Sequence, residues 1–328
     1  MRNYNKVALI LAAFLVLVGC TRKQDVLQGE YLGQKPPGKT PVIFAPGVIS
    51  TGLSELNSIF SPDGSEFYFC VRNSFAEAVF FYKSIDNVWI GPHRLPFTDQ
   101  YGEIDISISP DGTKMFFCSK RIVPGNDQPK NDHDIWMSNK TGNERETPIH
   151  LTAVNSEFQD FYPVTSNNGT LFFNSQREGI GTNNIYMSKF IDGQYTEAVK
   201  LGPAINTENR EFDPFIAPDE SFIIFASGRP GGFGNDDLYI SYKDENDSWT
   251  ESINMGEQIN SSRHEFSPVL SPDGKYLFFT SNRTDRPDSL NKITSYDEFE
   301  KMNNSPAYGS TDIYWVDASI VRELKPVN

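Results

Sequence analysis

Short runs of alternating apolar and polar residues, separated by turn-forming residues, recur along most of the chain. One copy reads "EFDPFIAPDESFIIFASGRPGGFGNDDLYIS" (211–241): two apolar segments flank a Pro-Asp turn, and a third follows a glycine-rich loop. Pro presets φ in such turns, and Gly accepts positive φ without steric cost. The pattern predicts short antiparallel β-strands joined by tight turns.

The same blocks occur five times. "ELNSIFSPDG", "EIDISISPDG", "DFYPVTSNNG", "EFDPFIAPDE" and "EFSPVLSPDG" align without gaps, and their leading acids stand 48, 57, 51 and 54 residues apart. Each block precedes an aromatic strand, an arginine and a segment such as "DLYIS" or "NIYMS". A recurring unit of this length, built of short strands, is typical of a β-propeller.

Each repeat contains four predicted strands, here called A to D, and five repeats use the chain fully. The sequence therefore predicts an all-β fold: one five-bladed β-propeller domain of four-stranded blades, spanning residues 40–328. The fifth repeat ends after its C strand, "DIYWV" (312–316). We expect the N-terminal segment "VIFAPGVISTGLSE" (42–55) to add the outer strand of blade 5, closing the ring without an unpaired interior edge.

The "SPDG" turns and the "S.R..G.G..D(I/L)Y.S" pattern resemble the TolB-type, WD-like β-propeller repeat over roughly residues 40–317. The resemblance implies a protein of the bacterial envelope, in the periplasm or at the outer membrane. A likeness of this kind implies a fold and leaves the function open.

The start of the chain has the pattern of a secretion signal. Arg2 and Lys6 precede an apolar run (7–19) that is too short to span a bilayer. The following "LVGC" resembles a bacterial lipobox, so we expect residues 1–19 to be a lipoprotein signal peptide, Cys20 to be acylated, and residues 20–39 to be a tether. An ordinary secretory signal followed by an incidental cysteine is the alternative. Acylation would anchor the protein in the envelope, with the outer membrane as the expected site.

Charge and cysteine content narrow the possible partners. Removing the leader takes away two basic residues, so 27 basic residues face 43 acidic ones and the net charge changes from −14 to −16. No basic patch interleaved with aromatics stands out, which argues against nucleic acid as a partner. Membrane contact is expected only through the lipid, and the propeller is expected to be a monomer. Cys70 and Cys118 occupy equivalent positions in neighbouring blades, about 10 Å apart, and are predicted to be buried free thiols.

Strand order predicts that two charged sets share one face of the propeller, because strand A begins where strand B ends. The acids are Glu55, Glu103, Asp160, Glu211 and Glu265, and the arginines are Arg72, Arg121, Arg177, Arg229 and Arg283. Planar guanidinium groups match carboxylates, so one interpretation is a ring of structural ion pairs. The other is a charged rim that binds a partner.

Two classes of function remain after these observations. Glycoside hydrolysis needs two carboxylates with different pKa values in one pocket, and most acids here recur in every blade. The four histidines, His93, His133, His150 and His264, fall at different positions of the repeat, and the Asn/Asp loops at 126–134 and 232–237 lack the ligand spacing of known calcium loops. No cofactor is expected. The sequence favours a non-catalytic binding platform for a protein partner or an envelope glycan; the alternative is a polysaccharide-active enzyme, a hydrolase or lyase, at the channel mouth.

An insertion at 284–310 interrupts the fifth repeat. Ser295 and Glu298 have the spacing of a capping box, which predicts a short helix. Tyr296, Phe299 and Met302 would then form an apolar stripe. We expect the stripe to contact a partner, although it could instead fold onto the rim of the propeller.

Overall fold

The computed structural model describes residues 26–96, 101–142, 144–284, 295–308 and 310–326. Its strands form five blade sheets, each with a path of four antiparallel strands, as predicted for a five-bladed propeller, and one separate two-stranded sheet. The fold class and the number of blades inferred from the repeats are confirmed. The predicted signal peptide, including Cys20, lies outside the described residues.

The strands follow the order of the repeats. The first strand, β1 (Val42–Ile43), belongs to the last blade. Blade 1 contains β2 (Ser54–Phe60), β3 (Glu66–Arg72), β4 (Glu77–Ile85) and β5 (Val88–Arg94). Blade 2 contains β6 (Glu103–Ile108), β7 (Lys114–Ser119), β8 (Asp134–Thr141) and β10 (Ile149–His150), with β9 (Glu144–Arg145) paired to β8.

Blade 3 contains β11 (Asp160–Thr165), β12 (Leu171–Ser175), β13 (Asn184–Ser188) and β16 (Val199–Lys200), beside the hairpin β14 (Phe190–Ile191) and β15 (Gln194–Tyr195). Blade 4 contains β17 (Glu211–Ile216), β18 (Phe222–Ser227), β19 (Asp237–Tyr242) and β20 (Ile253–Asn254). Blade 5 contains β21 (Glu265–Leu270), β22 (Tyr276–Ser281), β23 (Asp312–Asp317) and β1.

Helical structure is sparse. It consists of a 3-10 turn at Glu30–Gly33, the helix α1 (Tyr296–Asn303) in the blade 5 insertion, and the helix α2 (Ser319–Glu323) after the last strand. Ser295 accepts a hydrogen bond from the main-chain N–H of Glu298 at the start of α1. In the described part of the chain, no helix is both long and apolar enough to cross a membrane.

Apolar residues of the B strands form the core between blades. Both faces of these strands are covered by neighbouring sheets, which is why they read as continuous aromatic runs rather than as alternating patterns. The largest completely buried side chains of these strands are Phe67, Phe116, Phe117, Phe172, Phe173, Phe225, Phe278 and Phe279. Cys70 and Cys118, predicted to be buried free thiols, are both buried and unpaired.

The N-terminal segment lies on blade 5. Val42 is opposite Trp315 and Ile43 is opposite Tyr314 in the antiparallel pair of β1 and β23. The main-chain N–H of Phe44 donates to the carbonyl of Ile313 over 2.8 Å, and the Phe44 side chain is completely buried. An aromatic residue of the N-terminal segment therefore contributes to the core between the last blade and the first.

Part of the predicted tether packs against the propeller. Leu32 is buried, and Tyr31 packs edge-on against Phe60 and Tyr276, with ring centroids 5.5 and 5.0 Å away. Trp89 donates from its indole Nε1 to the carbonyl of Gly29 over 2.7 Å. These contacts join residues far apart in sequence, so the local sequence pattern does not predict them. Because residues 29–32 pack against the propeller, the predicted tether of residues 20–39 includes part of the folded chain.

Strand A contains a β-bulge in every blade. The residue two positions after the leading acid has positive φ in all five cases, at Asn57, Asp105, Tyr162, Asp213 and Ser267. Positive φ is uncommon outside glycine. Bulges redirect side chains. These five side chains are all buried, and three of the residues, Tyr162, Asp213 and Ser267, contact neighbouring or opposite blades near the axis, as described below.

Candidate functional site

The repeat arginines and acids form pairs in blades 2 to 5. Arg121, Arg177, Arg229 and Arg283 donate from Nη2 to Glu103, Asp160, Glu211 and Glu265 over 3.0, 2.9, 3.3 and 3.2 Å. All four carboxylates are completely buried, and the arginine side chains are at most 21% exposed. The predicted pairing is therefore present in four blades, with the acids inaccessible from the rim.

Further contacts fix each guanidinium group. In blade 4, Arg229 Nε donates to Ser227 Oγ over 2.8 Å, and Nη2 also donates to the carbonyl of Ile205 over 2.8 Å. The guanidinium carbon lies 5.4 Å from the Phe225 ring centroid and 4.6 Å from that of Tyr239. Blades 2, 3 and 5 repeat the stacking of arginine on two aromatic rings. A cation held by an acid, a hydroxyl and two rings serves chiefly to join parts of the scaffold.

Blade 1 departs from this arrangement, and the predicted pair of Arg72 and Glu55 is wrong. The strand register places Val71, not Arg72, opposite Glu55, so the serine position of the other blades is Val71 and the arginine position is Asn73. Glu55 is buried and accepts hydrogen bonds from the main-chain N–H and the hydroxyl of Thr51. Burial raises its pKa, while Arg72 is exposed.

The bulged residues of the A strands form a polar floor in the central channel. Tyr162 of blade 3 donates to the carbonyl of Pro268 in blade 5 over 3.2 Å, so it reaches across the axis. Ser267 donates to Asp213 Oδ2 over 2.8 Å, and the main-chain N–H of Asp213 donates to Asn174 Oδ1 over 3.2 Å. Of the five floor residues, Asn57, Asp105, Tyr162, Asp213 and Ser267, the last three are thus linked to neighbouring or opposite blades.

Two floor residues are acids at a position where the other blades have Asn, Tyr and Ser. Burial raises the pKa values of both Asp105 and Asp213 above the ordinary range of aspartate. The negative charge of Asp213 further raises the pKa of Asp105, whereas the positive charge of Arg72 opposes the rise in pKa at both aspartates. Two buried carboxyls in one channel resist carrying two negative charges together. These are the non-repeat acids that the sequence analysis did not single out.

A first charged cluster lies on the loop face above the floor, and we call it the Glu77 cluster. Glu77 Oε2 lies 2.9 Å from His133 Nε2 and 3.6 Å from Lys120 Nζ. Gln159 Nε2 lies 3.3 Å from the other ring nitrogen of His133. The hydrogen bond with His133 is the largest cause that holds the pKa of Glu77 below its usual range. The cluster joins blades 1, 2 and 3.

A second cluster, the Asp236 cluster, lies between blades 4 and 5. Arg210 donates from Nε and Nη2 to the two oxygens of Asp236, both over 2.7 Å, and His264 Nδ1 lies 2.5 Å from Asp236 Oδ2. Asn235 Nδ2 lies 3.2 Å from His264 Nε2. A Cβ on Gly228 would lie 3.0 Å from Arg210 Nε and 3.2 Å from Asp236 Oδ1, so the absent side chain leaves room for this ion pair.

The two clusters form what we call the channel mouth. Its residues occupy three places that recur in each repeat. Gln159, Arg210 and His264 stand just before the strand A acid, and His133 and Asp236 stand just before strand C. Lys120 and Gly228 follow the strand B serine. The negative charge of Asp236 raises the pKa of Asp213, and the negative charge of Glu77 raises the pKa of Asp105. Both clusters therefore lie near the floor. The repeat pattern does not reveal the mouth, because these positions vary between blades. The sequence carries one signal for the mouth: polar residues that differ between blades stand next to the constant acid and serine positions.

The remaining predicted features lie elsewhere on the loop face. In the insertion, Tyr296 is 76% and Phe299 46% exposed, Met302 is half-buried, and no side chain of α1 is buried. In the 232–237 loop, Asp237 accepts from the main-chain N–H groups of Phe233 and Gly234. Its oxygens thus hold the loop together. No group of three or more His, Cys, Asp or Glu residues in the described chain is arranged to hold a metal ion.

Comparisons with known proteins find similar folds with different activities. No family model matches the chain, and no curated protein matches it in sequence. Solved structures similar to it include a protein assigned as TolB from Agrobacterium tumefaciens, with 16% identity and a TM-score of 0.47 over 80% of this chain and 90% of that one. An N-acetylgalactosamine deacetylase from F. plautii has 11% identity and a TM-score of 0.48 over 91% and 97%. An α-L-arabinofuranosidase from Lactobacillus brevis has 11% identity and a TM-score of 0.45 over 81% and 91%. Such likeness concerns the fold alone.

Proposed function

We propose that this chain is a lipid-anchored envelope protein whose channel mouth is a non-catalytic binding platform for an envelope glycan or a protein partner. The observation that carries the proposal is the difference between the constant and the variable positions of the repeat. The constant arginines and acids form ion pairs with one another in blades 2 to 5, whereas the variable positions at the mouth carry accessible polar and charged groups. Binding sites commonly use variable loops held by a rigid scaffold.

The mouth is suited to polar ligands. Lys120 is 36% and Arg210 46% exposed at the side chain, so both offer donors to solvent. Each lies beside a buried or half-buried acid, at Glu77 or Asp236, which fixes its position. Pre-positioned groups lose less side-chain entropy when they bind.

The anchor and the ring closure complete the proposal. Lipidation at Cys20 would tie the chain to a membrane, and the paired strand β1 would join that anchor to blade 5. Mass spectrometry of the membrane fraction should find an acylated N-terminus at Cys20, and Cys20→Ser should release the protein into the soluble fraction. Recovery of an N-terminus that begins at Met1 would contradict this part of the proposal.

Capture from a solubilised envelope fraction tests the binding function. The double variant Lys120→Ala/Gln159→Ala removes two groups of the Glu77 cluster. We expect the wild-type chain to retain an envelope component and the double variant to lose it without a change in melting temperature. Lys325→Ala is the matched control, because Lys325 is exposed and acts on Asp219 in an A–B turn at the opposite face. Full capture by the double variant would overturn the proposal.

A polysaccharide-active enzyme is the second candidate, and Asp105 and Asp213 favour it. They are non-repeat acids with raised pKa values beneath the mouth, which are properties of a general acid. An enzyme would release new reducing ends or unsaturated ends from an envelope polysaccharide. Asp105→Asn and Asp213→Asn would abolish that release, whereas a platform would release no product in any variant.

A further inference from the structure

A groove between blades 3 and 4 extends from the channel mouth to the outside of the propeller. Its first cleft, of about 540 Å³, lies on the loop face and is bordered by Arg210 and Gly228 of the Asp236 cluster. Its second cleft, of about 550 Å³, lies beside β16 and reaches the A–B turns of both blades. Lys200 lines both clefts, so they meet at this residue. We call the combined feature the blade 3–4 groove.

The loop-face end of the groove is rich in amides. Asn184, Asn209 and Asn235 line it together with the hydroxyls of Thr182 and Thr207. Amides and hydroxyls both donate and accept hydrogen bonds, which is the capacity that the alternating hydroxyls of a sugar require.

Asn184 lies at the buried base of the first cleft. It is 95% buried, and its Nδ2 donates to Glu178 Oε2 over 3.2 Å, while its Oδ1 has no hydrogen-bond partner among the described residues. The strand register places Asp134, Asp237 and Asp312 at the same position in other blades. An unpartnered buried acceptor costs free energy unless a donor reaches it. This acceptor is itself shielded from solvent, so the amides that face a ligand in the first cleft are those of Asn209 and Asn235.

The outer end of the groove offers an aromatic surface. Trp249 and Phe190 line the second cleft beside the polar side chains of Asn168 and Glu220. Aromatic rings next to polar groups suit the apolar faces and hydroxyl edges of a pyranose ring. Trp249 is half-exposed, whereas the other three tryptophans are buried.

The charges along the groove are balanced. Lys200 pairs with Glu178 over 2.7 Å, and Arg210 pairs with Asp236. Lys243 pairs with Glu220 and with Asp247, over 3.1 and 2.7 Å. A ligand carrying many charges would have to break these pairs, so the groove favours an uncharged one.

We propose that the blade 3–4 groove binds a segment of an uncharged oligosaccharide, with sugar hydroxyls on the amides of Asn209 and Asn235 at one end and a sugar ring against Trp249 at the other. This inference rests on the proposed binding function and names its ligand class. It places the specificity of the site in one pair of blades rather than around the whole rim.

Tryptophan fluorescence and calorimetry with defined sugars test the inference on the full mature chain in detergent. The uncharged probes are hexasaccharides of glucose, xylose and N-acetylglucosamine, and the charged probe is a hexasaccharide of galacturonic acid. We expect an uncharged hexasaccharide to bind and to change the tryptophan emission. The affinity should change little with salt, because no net charge is used.

Variants locate the binding site. Asn209→Ala/Asn235→Ala should weaken binding by about tenfold or more, the loss of roughly one well-placed hydrogen bond. Trp249→Phe should abolish the emission change, which the buried tryptophans do not report. Asn126→Ala is the matched control, since this exposed asparagine lies in the blade 2 loop outside the groove, and it should bind as the wild type does.

Each outcome decides between the proposals. Binding by the wild type that the groove variants do not weaken, or binding of the galacturonate probe alone, would overturn the groove inference and leave the platform standing. Capture of an envelope protein with no binding of any uncharged sugar would do the same. If the groove variants and Lys120→Ala/Gln159→Ala all still capture the envelope component, both the groove inference and the platform proposal are wrong.

Discussion

Arg229 and Glu211 form an ion pair 3.3 Å long in which the carboxylate is completely buried and the guanidinium side chain is 15% exposed. An equivalent pair recurs in three other blades, with a serine beside the arginine and two aromatic rings beneath it, the second ring being tryptophan in blade 2 and tyrosine in the others. Repetition with burial indicates a structural role. It also directs the search for function to the positions that do not repeat.

Removing one partner of this pair should destabilise the protein strongly. Arg229→Ala leaves Glu211 buried without its cation, and we expect a loss of about 3–5 kcal/mol in the free energy of unfolding. Arg72→Ala is the matched control: Arg72 is exposed and does not pair with Glu55, so its loss should change stability by about 0.5 kcal/mol or less. Urea denaturation measures both. Equal effects of the two substitutions would show that the blade 1 arginine belongs to the structural set after all.

The N-terminal segment should contribute to stability through one buried ring. Phe44→Ala removes a completely buried aromatic side chain between blades 5 and 1, for which we expect a loss of about 3–5 kcal/mol. Val42→Ala, two residues earlier and within β1, should change stability by about 0.5 kcal/mol or less, because Val42 is 43% exposed. If the two variants unfold at the same denaturant concentration, the segment does not form part of the core that closes the ring.

Asp312 should make stability depend on pH. Burial raises its pKa from 3.8 to about 7, so the folded state favours the neutral carboxyl. The stability from this group is therefore fully present below about pH 4 and is lost as the pH rises through about 7. Asp312→Asn keeps an acceptor for the main-chain N–H of Ala307 and removes the titration. Relative to the wild type, this variant should gain stability as the pH rises through that window.

Asp237→Asn is the control for the pH measurement. Asp237 occupies the same repeat position but accepts from Phe233, Gly234 and Asn254. An amide there presents an NH₂ group to donors, so this variant should be less stable than the wild type at neutral pH. A gain in stability for both variants would show that the position, and not the environment of Asp312, sets the effect.

The blade 5 insertion should be dispensable for folding. No side chain of α1 is buried, and Asp312 takes the place that Asp237 has in blade 4, where a short loop suffices. Replacing residues 284–310 with residues 230–235 should leave the free energy of unfolding within about 1 kcal/mol, since loop closure depends weakly on length.

The contact of α1 with the propeller gives the control for that exchange. A Cβ on Gly52 would lie 2.0 Å from the carbonyl oxygen of Asn303, so Gly52→Ala should displace the end of the helix without removing it. Thermal melts of both variants should resemble that of the wild type. A large fall in melting temperature for either one would show that the stripe of Tyr296, Phe299 and Met302 is part of the core.

The repeat made most of the fold predictable. The acid of strand A, the Ser-x-Arg of strand B and the turns between them are spaced by local geometry, so five aligned copies determine the strands and the number of blades. Blade 1 breaks the pattern: Val71 replaces the serine, and Arg72 stands one residue before the position of the repeat arginine, which is Asn73. A single register shift of this kind moves a side chain to the other face.

The site was less predictable because it depends on contacts between repeats. His133 belongs to blade 2 and Glu77 to blade 1, and nothing in either segment indicates that they meet 2.9 Å apart. The burial of Leu32 by residues of blades 5 and 1 was hidden for the same reason. Such contacts follow from the packing of one blade against another, which brings together residues 56 positions apart in the first case and more than two hundred in the second.

Hydrogen–deuterium exchange on the mature chain, with and without the component captured from the envelope, tests the central claim most directly. We predict slower exchange in peptides around Lys120, Gln159 and Arg210 at the channel mouth, and no change in peptides that cover the A–B turns at 109–113 and 271–275. Protection confined to those turns, with the mouth exchanging as in the free protein, would contradict the assignment of the mouth as the binding site.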